Sequence, residues 1–149
     1  MVTWGTFEER AARVAAFGRE RVDGRVSFLA TVRPDGGPRV HPVTPWMRGR
    51  APVRAHVPEA RRRRRIGRDP RYALHSMMDN DDGIGGEFSL RGSAVRVDDP
   101  GRVAAALSAV GEPGTRPLVL FTFGVDSAMT TEYEGDETVR SRWDAEDRS

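Results

Sequence analysis

The chain has 149 residues, a length that suits one domain with a single hydrophobic core, and it contains no cysteine, which excludes disulfides, thiolate metal sites and cysteine nucleophiles. Its 24 basic residues are all arginine and are nearly cancelled by 22 acids to a formal charge of +2, so the high isoelectric point is no argument for a nucleic-acid partner. No run of about 18 apolar residues is present and acids interrupt the opening MVTWGTFEER, so no membrane span and no secretory leader are expected, and the reading is a cytoplasmic protein.

In chain order, Thr6 stands three residues before Glu9, and Phe7, Ala11, Val14, Ala15 and Phe17 follow at helical spacing. This predicts a helix over about residues 7–21, stopped by Asp23-Gly24. The β-branched and aromatic run 26–32 predicts a strand, and Arg33-Pro34-Asp35-Gly36-Gly37 supplies a proline and two glycines suited to a hairpin turn. The return strand, 38–46, contains Pro42 and Pro45, which lack an N–H and so place it at an edge or rim. A third strand is expected at 52–57 after the turn at Arg48-Gly49-Arg50. A short helix then starts at Pro58-Glu59 and runs through the arginines to Arg68, ended by Asp69-Pro70.

Residues 72–76 read as a fourth strand and the polar, glycine-rich stretch 77–86 as a loop. A long strand with a bulge near Gly92 is expected over 87–97. Asp98-Asp99-Pro100 opens a helix to about Val110, with proline where a missing N–H is tolerated. Residues 118–125 form a core strand, and the segment to Tyr133 extends it or adds another. The acidic, arginine-rich tail from about 134 carries Trp143 and is expected to be flexible unless it packs on the body or on a partner. Six or seven strands with three peripheral helices, joined by connections too short for parallel crossovers, describe a mainly β (α+β) chain: one domain over residues 1–149 built on a closed or nearly closed antiparallel barrel.

The order helix, ATVRPDGGPRVHPV hairpin, basic helix ending in Asp-Pro, acidic glycine loop and GGEFSLRG strand resembles the pyridoxamine 5'-phosphate oxidase-like family of split β-barrels over about residues 17–125. In the oxidase a Ser-Arg-Lys triplet precedes Asn-Pro by six residues; here Ala60-Arg61-Arg62 precedes Asp69-Pro70 by the same interval. The resemblance implies a homodimer with FMN, or alternatively the deazaflavin coenzyme F-420, in the cleft between subunits. It assigns Arg39 and the pair Arg61 and Arg62 to the cofactor phosphate, with His56 on a strand that adds phosphate contacts. It runs His41, Pro42, Val43 and Thr44 beneath the ring, and sets Glu87 where the oxidase has a glutamine. Guanidinium forks and a helix N-terminus suit a phosphate on general grounds.

The oxidase's Arg-x-His motif has no counterpart in Val139-Arg140-Ser141-Arg142-Trp143-Asp144, so oxidation of the vitamin itself is not the expected reaction. The expectation is a flavin- or deazaflavin-dependent oxidoreductase, the alternatives being a cofactor carrier without turnover and a haem-binding relative. Five consecutive arginines, 61–65, exceed one helical turn, so Arg63, Arg64 and Arg65 are left to solvent or to the partner subunit. No nucleic-acid module accompanies them. The three histidines lie on separate strands without metal-ligand spacing, the 79–86 loop lacks the closing glutamate of a calcium loop, and no G-x-S-x-G elbow is present. Neither a metal site nor a serine nucleophile is therefore expected.

Overall fold

The computed structural model describes residues 1–47, 53–58, 69–80, 83–109 and 118–147, with residues 53–58 described by backbone alone. The basic helix expected after Pro58, with Arg61 and Arg62, and the turn at Arg48-Gly49-Arg50 lie outside the described residues.

The N-terminal helical segment is two helices, α1 (Trp4–Arg10) and α2 (Ala12–Val22), parted at Ala11, where φ is −143° and ψ 55°. The cap is Thr3 and not Thr6: its Oγ1 accepts the N–H of Thr6 at 3.2 Å. Starting a turn early puts Trp4 and Phe7, both fully buried, on one face of α1. The turn at Ala11 lets α2 direct Ala15 and Val22 into the same core. The i to i−4 hydrogen bonds continue through it, from Ala11 to Phe7 and from Ala15 to Ala11.

Strands β1 (Ser27–Val32) and β2 (Pro38–Val43) form the expected hairpin, with Gly36 at φ 82° in the turn and Asp35 Oδ1 accepting the N–H of Gly37. After Thr44 come β3 (Pro45–Trp46), β4 (Val53–Pro58), β5 (Arg71–Ser76) and β6 (Glu87–Val97). Helix α3 (Pro100–Ala109) begins as expected at Asp99, whose carboxylate accepts the N–H of Arg102 at 2.7 Å. Strands β7 (Leu118–Phe123), β8 (Ser127–Glu134) and β9 (Glu137–Asp144) complete the chain.

All pairings are antiparallel, and the path β2-β1-β5-β6-β7-β4-β3 holds seven strands, as a split barrel requires. The path is not closed by hydrogen bonds, yet its two ends, β2 and β3, are separated by Thr44 alone, so the sheet curls until its margins meet. The prolines explain why the seam falls there: Pro42 and Pro45 both lie on margin strands. Strand β8 branches from β6 and carries β9, giving nine strands among the described residues.

Two expectations are refined. The tail takes the packed alternative: residues 137–144 pair with β8 at eight successive positions, and Trp143 lays its ring 4.8 Å from that of Phe7. The bulge near Gly92 lies across from β6 and not within it: β6 keeps an unbroken register against β5 from Ser89 to Ser93. On its other side the partner passes from β8, with Arg91 opposite Ser127, to β7, with Ala94 opposite Phe123, so three residues, 124–126, stand against two, Gly92 and Ser93.

The core joins α1 and α2 to the inner sheet face through Trp4, Phe7, Leu29, Leu74, Phe88 and Leu90. Val97, Ala106 and Leu120 form a smaller cluster beneath α3. Tyr72 is buried with its hydroxyl donating to the carbonyl of Gly124 at 3.0 Å, and burial, with the Asp126 carboxylate beside it, pushes the phenol well above its ordinary range.

Candidate functional site

Directly opposed residues of antiparallel strands share a face, so the register sorts the site. One row runs His41, Leu29, Leu74, Leu90, Ala128, Trp143 from β2 to β9 and belongs to the core face. The neighbouring row, Pro42, Phe28, His75, Ser89, Met129, Arg142, belongs to the outer face. Apolar side chains stand exposed on and beside this outer face: Phe28, Val40, Met77, Met78, Ile84 and Tyr133. A patch of that kind on a sheet face marks a surface built for contact.

Within it lies a polar cluster. His75 Nε2 is 3.2 Å from Glu87 Oε2, and the Tyr133 hydroxyl donates a short hydrogen bond to Glu87 Oε1. His75 Nδ1 is 2.7 Å from the carbonyl oxygen of Ser76. The Glu87 carboxylate holds the Tyr133 phenol above its ordinary range, because the hydroxyl that donates to an anion parts with its proton less readily. Three adjacent strands supply these groups, β5, β6 and β8, so their relative positions are set by ladder hydrogen bonds.

The glycine-rich loop before β6 positions the cluster from one side. Gly83 and Gly85 have φ of 73° and 84°, where a side chain is disfavoured. A Cβ on Gly83 would also sit 2.8 Å from the Tyr133 ring, and one on Gly85 2.4 Å from the Arg21 guanidinium. Arg21, only 5% exposed, donates to Asp79 at 3.0 Å, and Arg25 donates to the other oxygen of the same carboxylate. The loop therefore wraps a buried arginine and presses on the tyrosine that reaches Glu87.

The sequence-predicted residues separate by face. Pro42 and Glu87 fall on the outer face with the polar cluster. Arg39, half-buried, lies opposite Thr31, His41 opposite Leu29 and Val43 opposite Ser27, all on the core face. Consecutive strand residues alternate, so 41–44 cannot all turn side chains to one ligand; what they share is the backbone edge of a margin strand. Thr44 links the two margins. His56 is placed by its backbone opposite Leu120 on β7, and Arg61 and Arg62 are outside the described residues. His75 and Tyr133 join the site from positions that sequence spacing did not single out as one. Among the described residues no group of three metal-ligating side chains occurs, and no helix is long and apolar enough to cross a membrane. A separate open hollow of about 980 Å³, lined by Met1, Arg10, Arg142, Trp143 and Glu146 among others, contains none of the predicted residues.

The fold defined by this sheet is the split β-barrel of the pyridoxamine 5'-phosphate oxidase-like proteins. Among solved structures the chain is similar to a pyridoxamine 5'-phosphate oxidase-related, FMN-binding protein of Nostoc punctiforme, at 18% identity and a TM-score of 0.64, over 95% of this chain and 91% of that one. It is similar to an F-420 reductase at 22% identity and a TM-score of 0.55, over 74% of this chain and 94% of the other. It is also similar to HutZ, the haem storage protein of Vibrio cholerae, at 14% identity and a TM-score of 0.53, over 77% and 89% of the two chains. No family model and no curated protein matches the sequence.

Proposed function

We propose that the chain is a cytoplasmic, homodimeric oxidoreductase that holds FMN, or alternatively the deazaflavin F-420, between two copies of its outer sheet face. The observation that carries this reading is the polar cluster His75, Glu87 and Tyr133 set within an exposed apolar sheet surface. A flat ring needs an apolar platform with a few fixed polar groups at its rim, and this face offers both. When bound, the ring supplies the hydride or electron pair, and the chain's part is to orient it and exclude water. At the phosphate end the reading assigns His56, Arg61 and Arg62, with Arg39 reaching round the β2 margin from the other face of the strand. The likeness of fold to an FMN-binding protein and to an F-420 reductase supports the choice of cofactors.

The test is titration calorimetry of the purified protein with FMN and with F-420, followed by consumption of the reduced cofactor when electron acceptors are added. Binding with turnover is the expected result, and binding without turnover would make the chain a carrier. Failure of both ligands to bind would refute the reading. Arg62→Ala is expected to weaken binding by about 1.5–3 kcal/mol, the worth of one charge-assisted hydrogen bond, and Arg64→Ala by much less. A second reading, haem binding, is favoured by the 45% exposure of the His75 side chain and the fold shared with a haem storage protein. A Soret band on haem addition that His75→Ala abolishes would support it.

A further inference from the structure

The hydrogen bonds around His75 fix where its protons can be. A carbonyl oxygen only accepts, so the 2.7 Å contact with Ser76 requires a proton on Nδ1. Neutral imidazole then has a bare lone pair at Nε2, and that lone pair faces the Glu87 carboxylate at 3.2 Å. Two lone pairs at that distance repel, so the contact needs one further proton. Tyr133 already donates to the other carboxylate oxygen. An Nε2–H donating to the carboxylate is the arrangement that satisfies both atoms.

We propose that His75 and Glu87 hold this proton as an acid–base pair, with Tyr133 as its positioning residue, and deliver it to a ligand heteroatom that becomes basic on reduction. In the transfer the Nε2–H bond breaks with its electron pair left on nitrogen, and a new bond forms between the proton and a lone pair of the ligand. Nothing is oxidised or reduced in that step; His75 becomes neutral and Glu87 remains an anion until solvent returns a proton. Among the described residues the charged and titratable groups facing the pair are few. On β9, Arg140 acts on Tyr133, and Arg142, in the His75 row, is held by Asp144; Asp79, beyond the end of β5, is held by Arg21 and Arg25. From β1 and β2 the neighbours in the same row are Phe28 and Pro42, which carry no charge.

The nature of the acceptor rests on the oxidoreductase reading; the position of the proton does not, and the two are tested apart. In cofactor-free protein labelled with nitrogen-15 in histidine, long-range proton–nitrogen spectra should find Nδ1 of His75 protonated at every pH. Nε2 should lose its proton in a single step as pH rises. In Glu87→Gln the amide can donate to a bare Nε2, so His75 should become the singly protonated Nδ1–H form with the contact intact. Finding the neutral ring protonated at Nε2 would overturn the pair, and that measurement needs no variant to fold. With FMN-loaded protein and a naphthoquinone as acceptor, kcat/KM should fall about tenfold per pH unit above the spectroscopic midpoint, and Glu87→Gln should abolish that dependence. A flat profile across the midpoint would overturn proton delivery. If the spectra are as expected and neither FMN nor F-420 binds, the oxidoreductase reading fails and, with it, delivery to a reduced ligand, while the shared proton stands.

Discussion

Gly92 sits where β6 gives up β8 and takes β7 as its neighbour, and at that point three backbones crowd together. A Cβ there would lie 2.0 Å from the carbonyl oxygen of Gly124, the same oxygen that accepts the Tyr72 hydroxyl. Backbone cannot swing aside as a side chain can, so Gly92→Ala is expected to destabilise the fold by about 2–3 kcal/mol, measured as a lower urea midpoint at unchanged slope. The residues of the polar cluster illustrate what sequence conceals at this scale. Glu87 was legible from the GGEFSLRG pattern, but His75 and Tyr133 stand 12 and 46 residues from it. They meet it only because the registers of β5 against β6 and of β6 against β8 bring them to one face. No local periodicity encodes a pairing register between distant segments.

At the scale of elements, the hairpin of β1 and β2, the margin position of the prolines and the capped α3 were legible, since each is written in turn chemistry or in a missing N–H. The tail has the composition of a segment that is disordered if left alone, and packing on the body decides it. Its alternation was nevertheless present: Val139, Ser141 and Trp143 are the less exposed residues of β9, and Thr138, Arg140 and Arg142 the more exposed. Period-two patterning outweighs charge content once a partner strand is at hand. Trp143 joins that strand to α1 through Phe7, so Trp143→Ala is expected to cost about 2 kcal/mol in chemical denaturation, less than the ~3–5 of a fully buried aromatic. The break at Ala11 had no signal either, since alanine favours helix; tertiary packing of Trp4 and Phe7 imposed it.

For the whole molecule, the outer face of β2, β1, β5 and β6 connects the proposed cofactor site to the proposed dimer. Val40 lies on this face, 61% exposed in the single chain, so Val40→Glu leaves the core untouched. Sedimentation velocity should find this variant shifted to monomer, with FMN affinity lost in parallel. Loss of the dimer with full retention of binding would separate the two roles. The barrel architecture itself was legible from strand number and short connections, whereas the arginine helix assigned to the phosphate has its placement outside the described residues.

The one-residue link at Thr44 gives the barrel wall a clasp. Elsewhere around the hoop, neighbouring strands are stitched by a ladder, and sliding one past another means breaking several bonds at once. Across the clasp no ladder pairing joins the two margins among the described residues, and Thr44 ties β2 to β3 covalently. A joint of one residue reaches at most about 7 Å from Val43 to Pro45, so the wall cannot gape wider than that at its unstitched point.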